Sequence, residues 1–177
     1  MLLNRTEYPS WLYPITKGAT TIWERWDGVK PDGSFQDKGM NSFNHYAYGA
    51  IGEWLYRVVA GIGIDPQQPG YKHVLVQPHA GGGLTFATAS HESLYGTVSV
   101  GWGIKAGRMQ VAVEIPANTT ATVHLPQADL KTVLEGGRPL TKATGINRSW
   151  QQEKTAVIDV GSGRYEFSYP AVERGGK

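Results

Sequence analysis

The feature that most constrains this fold is a change in the spacing of apolar residues near residue 62 of the 177. Before that point, the segment MNSFNHYAYGAIGEWLYRVVAGIG places apolar side chains at i, i+3, i+4 and i+7, which is the pattern of an amphipathic helix. After IDPQQPGY, which has the Pro and Gly of a linker, apolar and polar residues alternate, as they do in half-buried strands. The change predicts a helical first part over 1–64 and an all-β second part over 70–171.

In the first part, the periodic segment predicts one long helix near residues 42–61. Asn41 or Ser42 is suited to cap its start, and Gly61 or Gly63 is suited to end it. The apolar face of this helix contains Phe43, Tyr46, Ala47, Ala50, Ile51, Trp54, Leu55, Val58 and Val59.

Two further segments precede the long helix. Residues 11–17 predict a short helix, whose start is restricted by Pro14 and which Gly18 ends. Residues 18–40 are rich in Gly, Asp, Pro and Ser and predict a long ordered loop. Loops of that length in compact domains are usually functional, so the chemistry of this loop decides the functional hypothesis.

The second part contains about eight short alternating runs that are spaced by about ten residues. The segment IKAGRMQVAVEIP predicts a hairpin with its turn at Lys105, Ala106 and Gly107. The runs that predict strands are YKHVLVQP, LTFATASHES, GTVSVGWGIK, RMQVAVEIP, TATVHLP, KTVLEGG, TAVIDVGS and GRYEFSYP. Together they predict an antiparallel β-sandwich, and the whole chain is predicted to be of the α+β class.

Composition excludes several classes of function. The formal charge is +2 and the basic residues are scattered, so the chain lacks the basic stripe of a nucleic-acid binder. No apolar run is long enough to cross a membrane, and cysteine is absent, which excludes disulfides and thiolate metal sites. Four histidines lie on separate predicted strands without metal-ligand spacing: His73, His79, His91 and His124. We therefore predict no metal, no cofactor, no nucleic-acid partner and no membrane partner.

The loop carries one segment with unusual chemistry, WERWDG. Glu24 lies between Trp23 and Trp26, two indoles that would lower the local dielectric and suit a carboxyl for general acid or base work. Indole faces also stack on the C–H faces of sugar rings. The alternative is that Glu24 and Arg25 form a structural ion pair in a loop braced by aromatic residues. The residues alone leave the two interpretations about equally supported.

A second candidate, His45, lies at the start of the predicted long helix, close to where the loop must arrive. Its imidazole is able to donate to a sugar hydroxyl or to the Glu24 carboxylate. The alternative is a histidine that bonds a loop carbonyl, and for His45 taken alone that alternative is favoured.

Three segments in order, TEYPSW, GATTIWERWDG and SFNHYAYGAIGEWLYRVVAGI, resemble the end of the catalytic domain of bacterial α-L-rhamnosidases, glycoside hydrolase family 78. The resemblance covers nearly the whole chain and is most specific over residues 6–62. It implies that 1–64 are the C-terminal helices of an incomplete (α/α)6 barrel, and that 70–171 are the β-sandwich that follows it.

The resemblance also implies a reaction and a set of roles. The family inverts anomeric configuration with a general acid and a general base. By motif position, Glu24 is similar to the base and His45 to a histidine that binds the terminal α-L-rhamnose. Trp23 and Trp26 would position and desolvate Glu24 beside the sugar, and Arg25 would brace the loop.

The family's general acid comes from an earlier part of the barrel, and nothing in this sequence matches it. The resemblance therefore implies a fragment that is inactive or nearly so alone, and whose helical face is exposed for self-association. A different interpretation remains open from the residues: a noncatalytic β-sandwich module that binds carbohydrate or a partner, with the helical segment as an oligomerisation device.

Overall fold

A computed structural model describes residues 5–172 of the chain. Its contacts divide the chain into an N-terminal unit that ends at Glu53 and a C-terminal unit that begins at Trp54. The fold is mixed and mostly β, with little helix.

The N-terminal unit is mainly irregular and begins with one short helix. This helix, α1, covers Tyr13–Thr16, with Pro14 in its first turn, where a missing N–H costs no intrahelical bond. Gly18 follows it with φ of +80°, a conformation that side chains other than glycine adopt at a cost. Helix α1 thus lies inside the short helix predicted over 11–17.

The long helix predicted over 42–61 is shorter in the structure. It consists of a three-ten turn at Ala47–Ala50, an α-helical turn α2 at Ile51–Trp54 and a π-helical stretch at Leu55–Ala60. Residues 42–46 are not helical, so the predicted start was wrong. The predicted end at Gly61 is confirmed, since its φ of +90° is the left-handed conformation that closes a helix.

The hydrogen bonds of Asn41 and Ser42, the two residues predicted to cap the helix, explain why it does not begin at residue 42. Asn41 uses its side-chain Nδ2 to donate to the carbonyl of Gly28 at 2.9 Å instead of capping a helix. Ser42 engages Glu24 through its backbone N–H and carbonyl groups. These partners lie far away in sequence, and helical periodicity cannot reveal them.

Up to residue 172, the C-terminal unit is built from two sheets that contain eleven strands. They are β1 (Ile62–Ile64), β2 (His73–Val76), β3 (Phe86–Ser93), β4 (Gly96–Lys105), β5 (Arg108–Ile115), β6 (Thr120–Pro126), β7 (Leu134–Glu135), β8 (Arg138–Pro139), β9 (Ile146–Gln152), β10 (Thr155–Val160) and β11 (Gly163–Pro170). One sheet has the order β1-β2-β6-β10-β9, and the other has the order β3-β4-β5-β11-β7-β8.

All eight alternating runs contain a strand, and β1, β8 and β9 are additional. The alternation failed for β9 because its residues bury neither face well. The predicted antiparallel arrangement is correct for every pair of strands except β2 and β6, which run parallel. The turn predicted at Lys105, Ala106 and Gly107 is correct for its last two residues, which join β4 to β5 and have positive φ, as a type I′ hairpin turn requires. Lys105 is instead the last residue of β4 and pairs with Arg108.

The core lies between the two sheets and explains the alternation. On β5, every second residue from Met109 to Ile115 is buried, while Gln110 and Ala112 are exposed. The same alternation on the neighbouring strands of both sheets buries Val74, Val76, Val98, Val100, Ala121, Val123, Leu125, Ala156, Ile158, Val160, Tyr165, Phe167 and Tyr169. Because the side-chain period is two, this pattern fixes the register of the pairing.

The end of the helical segment packs on the sandwich inside the C-terminal unit. Val59 is buried, and its carbonyl accepts a 2.7 Å hydrogen bond from Nε1 of Trp102 on β4. A Cβ at Gly61 would overlap the backbone of Gln77 and Pro78. Glycine is therefore required at Gly61 both by its φ and by the close approach of this backbone.

Between residues 5 and 172, no helix combines the length and the apolar character that a membrane crossing demands.

Candidate active site

Two segments of the N-terminal unit are joined side by side by backbone hydrogen bonds. The N–H of Glu24 donates to the carbonyl of Ser42 at 2.9 Å, and the N–H of His45 donates to the carbonyl of Ile22 at 2.8 Å. The two residues that the sequence predicted as site residues, Glu24 and His45, are thereby brought from 21 positions apart onto paired segments.

The Glu24 side chain is half-buried and has a defined orientation. Its Oε2 accepts a hydrogen bond from the backbone N–H of Ser42 at 3.1 Å. A carboxylate held by a backbone donor has lost rotamer freedom before any ligand arrives, which is the preorganisation that general catalysis requires.

Arg25 pairs with Asp27 and not with Glu24. Its Nε lies 2.9 Å from Oδ1 of Asp27 and its Nη2 lies 3.1 Å from Oδ2, so the guanidinium grips the carboxylate with two parallel bonds. The hydrogen bonds from Arg25 hold the pKa of Asp27 below its ordinary value, against a smaller opposing effect of burial. The alternative interpretation paired Glu24 with Arg25. In the structure the ion pair is formed by Arg25 and Asp27 instead.

His45 has a defined tautomer. Its Nδ1 accepts a hydrogen bond from the backbone N–H of Ala47 at 3.2 Å, so the neutral ring carries its proton on Nε2. The ring stacks on Tyr46, with centroids 5.5 Å apart and planes 4° apart. An Nε2–H of this kind is suited to donate to a hydroxyl or a carboxylate.

The two tryptophans beside Glu24 occupy different environments. Trp23 is only 8% exposed and meets Phe43 edge to face at 4.9 Å, so it forms part of the support beneath the loop. Trp26 is partly exposed and packs against Trp11 at 5.6 Å and Tyr48 at 5.3 Å.

An aromatic cluster of Trp11, Trp26 and Tyr48 borders a cavity of about 90 Å³. Sequence reasoning did not assign Trp11 and Tyr48 to the site. Tyr48 lay within the predicted helix, where an aromatic residue is usually part of an apolar face, and Trp11 lay in another predicted helix. Their clustering depends on tertiary contacts, so composition gave no signal for it.

The bracing of the loop by Asn41 was also missed. Its Nδ2 donates to the Gly28 carbonyl, and a Cβ at Gly28 would lie 2.9 Å from Asn41 Oδ1. A side chain at Gly28, the glycine that ends the WERWDG segment, would therefore displace the Asn41 amide. The presence of a Gly and an Asn in the same loop is a weak sequence signal for such a contact, since both residues are common in turns.

Within the described residues, no group of three or more His, Asp or Glu side chains is placed to hold a metal ion.

Two family models match the chain. The model described as the bacterial alpha-L-rhamnosidase 6 hairpin glycosidase domain matches residues 1–59. The model described as the bacterial alpha-L-rhamnosidase C-terminal domain matches residues 63–138.

The chain is similar to curated proteins named alpha-L-rhamnosidase. It is 43% identical to that of Streptomyces avermitilis over 94% of this chain and 15% of the relative. It is 39% identical to one from Formosa agariphila over 94% of this chain and 18% of the relative. The chain thus spans less than a fifth of the length of these relatives.

Solved structures agree with these matches. The crystal structure of the Streptomyces avermitilis alpha-L-rhamnosidase complexed with L-rhamnose is 42% identical, with a TM-score of 0.79 over 94% of this chain and 15% of that one. The structure of the enzyme from Dictyoglumus thermophilum is 33% identical, with a TM-score of 0.75 over 94% of this chain and 18% of that one. The chain belongs to the bacterial α-L-rhamnosidase family, whose six-hairpin and C-terminal domain models match its two parts.

Proposed function

We propose that this chain is part of an inverting glycoside hydrolase that releases terminal α-L-rhamnose from glycosides, with Glu24 as the general base. The observation that carries the proposal is the half-buried Glu24 carboxylate, which Ser42 orients and which the Arg25 guanidinium leaves unpaired. The family membership and the L-rhamnose bound by a relative that is 42% identical support the substrate class.

In this mechanism the Glu24 carboxylate accepts a proton from a water molecule as that water attacks the anomeric carbon. The leaving oxygen takes a proton from a carboxylic acid on the opposite face of the sugar, and the two carboxyl groups stand about 6.5–9.5 Å apart to leave room for the water. A base that is already oriented removes entropy cost from the water-activation step.

The other predicted site residues support this step. His45 presents Nε2–H as a donor to a rhamnose hydroxyl, because its Nδ1 is occupied by Ala47. Trp26, which is partly exposed, contributes an indole face beside the sugar, while buried Trp23 fixes the backbone that carries Glu24.

We further propose that the general acid is supplied by polypeptide outside these 177 residues. The supporting observation is length: the chain matches 15–18% of its relatives, and its first part matches a six-hairpin domain model. Residues 1–64 would then be the last helices of an (α/α)6 barrel that is incomplete here. The isolated chain would not hydrolyse an aryl α-L-rhamnoside at a useful rate.

A consequence is self-association of the isolated chain. Leu55 is 39% exposed and Tyr56 is 46% exposed on the helical segment, where an intact barrel would supply neighbouring helices. In their absence, a second copy would cover this apolar face. A concentration-dependent sedimentation coefficient at micromolar concentration would support this consequence, and a monomer throughout would exclude it.

The alternative, a noncatalytic carbohydrate-binding sandwich, is less well supported. Trp102, one of two tryptophans on the strands, is 3% exposed and donates into the domain, so it offers no face to a sugar. The other, Trp150, lies under the Arg148 guanidinium, whose carbon is 4.7 Å from the ring centroid.

The base assignment is tested by Glu24→Gln in a full-length family member that carries the WERWDG segment. We expect kcat to fall by about 10²–10⁴-fold or more, since general acid–base help is worth about that much. KM should change little, because the amide keeps the shape and one acceptor. Glu166→Gln, at an exposed strand position of the sandwich, is the matched control and should leave turnover unchanged. Near-normal turnover in Glu24→Gln would remove the base assignment.

A further inference from the structure

In the turn that follows Glu24, one guanidinium, that of Arg25, has two carboxylates close to it along the chain, those of Glu24 and Asp27. The N–H of Gly28 reaches the Arg25 carbonyl at 3.4 Å, which closes a turn and brings the side chains of Arg25 and Asp27 to one side. Asp27 takes both bonds of the guanidinium fork. Glu24, although directly adjacent in sequence, receives its hydrogen bond from Ser42 instead.

We infer that Asp27 is a positioning residue: it holds the Arg25 guanidinium by two hydrogen bonds and so keeps it from pairing with the carboxylate of Glu24, the proposed base. This inference rests on the proposed function for its catalytic meaning, but its structural content concerns only the partner choice of Arg25. Asp27 acts through Arg25 and need not touch the substrate.

Asp27 and Glu24 are two possible partners for a single cation, the Arg25 guanidinium. An opposite charge within about 4–6 Å of a carboxylate favours its ionised form and commonly lowers the pKa of the carboxyl group by about one to three units. A weaker base accepts a proton less readily in the transition state. A guanidinium bound to Glu24 would thus impair water activation, while the same guanidinium bound to Asp27 can still brace the loop.

Asp27 is well placed to win this competition. A planar fork with two parallel bonds at 2.9 and 3.1 Å is the strongest geometry that a guanidinium and a carboxylate adopt. The Arg25 and Asp27 side chains are 36% and 28% exposed, so the pair is partly shielded from water. The other charged groups that act on Arg25 are Asp37 and, more weakly, Glu24 itself. His45 lies on the segment paired with Glu24. The Tyr8 hydroxyl donates to the backbone carbonyl of Asp27 at 3.4 Å and is a further titratable group beside the pair.

The inference is tested in this chain without any activity measurement. The side-chain carboxyl carbon of Glu24 is followed by ¹³C NMR against pH, with the signal assigned by Glu24→Gln. In Asp27→Asn, the released guanidinium should turn to Glu24 and move its titration midpoint down by about one pH unit or more. Arg25→Gln should move the midpoint up by a smaller amount, because Asp27 stays at its present distance and solvent screens it. The double variant should return to the wild-type midpoint.

The sizes of the two shifts in the Glu24 midpoint distinguish this inference from the alternative in which every charge stays where it is. If Asp27→Asn and Arg25→Gln move the midpoint equally in opposite directions, the guanidinium has not changed partner and the inference is overturned. Asp32→Asn is the matched control, since Asp32 lies in the same loop and accepts hydrogen bonds from Ser34 and not from Arg25. In this variant the titration midpoint of Glu24 should equal the wild-type value.

Two further readouts keep the test decisive. If Asp27→Asn disorders the loop, Asp27→Glu, which keeps the charge, should restore the wild-type midpoint; failure to do so would contradict the inference. In a full-length family member, Asp27→Asn should lower the midpoint of the acidic limb of kcat/KM, and adding Arg25→Gln should restore it. The NMR result stands even if Glu24 proves not to be the base, so the two proposals fail separately.

Discussion

The two units of this chain are stabilised in different ways. In the sandwich, alternate residues of neighbouring strands interlock in one continuous core, and Val74, Val123 and Ile158 are completely buried. In the N-terminal unit, the described residues between α1 and the three-ten turn are largely irregular, and order comes from hydrogen bonds such as Glu24 to Ser42 and from edge-to-face aromatic contacts. Periodic burial fixes the C-terminal unit, and individual polar partners fix the N-terminal unit.

The difference matters for the proposed function, whose named residues all lie in the N-terminal unit. A periodic core tolerates little change but presents no chemistry, whereas the irregular unit holds a half-buried carboxylate, an ion pair and a histidine of fixed tautomer. Catalytic groups are commonly carried by loops that a rigid scaffold positions.

The largest effect is expected in the sandwich core. Phe167 is 1% exposed, and Phe167→Ala should reduce the free energy of unfolding of the C-terminal unit by about 3–5 kcal/mol through lost burial and the remaining cavity. Chemical denaturation monitored by tryptophan fluorescence measures this loss. The matched control is Phe86→Ala, because Phe86 is 68% exposed on β3 and should cost little. Similar losses for both variants would contradict a single periodic core.

A somewhat smaller effect is expected where the helical segment meets the sandwich. Gly61→Ala should cost more than about 2 kcal/mol, since a left-handed conformation alone costs about 1–2 kcal/mol and the new Cβ also overlaps Pro78. In Gly107→Ala, the residue has a φ of +71° and open space around it, so only the conformational cost should appear. Thermal unfolding of the two variants compares them directly, and equal shifts would show that the backbone at Gly61 has room to move.

The smallest expected effect is a difference between the two units in how their stability depends on pH. Burial lowers the pKa of His124 on β6, partly offset by Asp159, so the unfolded chain binds a proton that the folded chain resists. Stability of the sandwich should therefore fall as pH drops below about 6.5, the ordinary histidine value. The pKa of Asp27 is lowered instead, so its contribution is present above about 3.9 and is lost only below that pH. The free energy of opening of sandwich amides, measured by hydrogen exchange, should be smaller at pH 5.5 than at pH 7.0. In His124→Gln this difference should be absent.

The sequence predicted much of the fold because burial in the sandwich is periodic. Every alternating run contained a strand, and the hairpin turn was correct at Ala106 and Gly107, although Lys105 belongs to β4. Strand β9 was missed because its exposed residues carry no alternation, and the parallel pairing of β2 with β6 is a property of topology that local pattern does not encode.

Prediction of the candidate site was limited in a different way. Glu24 and His45 were chosen from residue type and motif position, and the structure places them on paired segments. The partner of Arg25 was open in the sequence, since Glu24 and Asp27 are both close to it along the chain. The choice depends on a turn closed at Gly28, and the start of the long helix was lost to the same hydrogen bonds that build the site.

We propose that Glu24 activates water in an inverting hydrolysis. The most direct measurement is azide rescue of Glu24→Ala in a full-length family member, with an aryl α-L-rhamnoside whose leaving group needs no acid. Azide attacks without being deprotonated, so it should restore part of the lost rate and yield β-L-rhamnosyl azide, the inverted product. A rate that ignores azide in an inactive variant, or an α-L-rhamnosyl azide product, would contradict the claim.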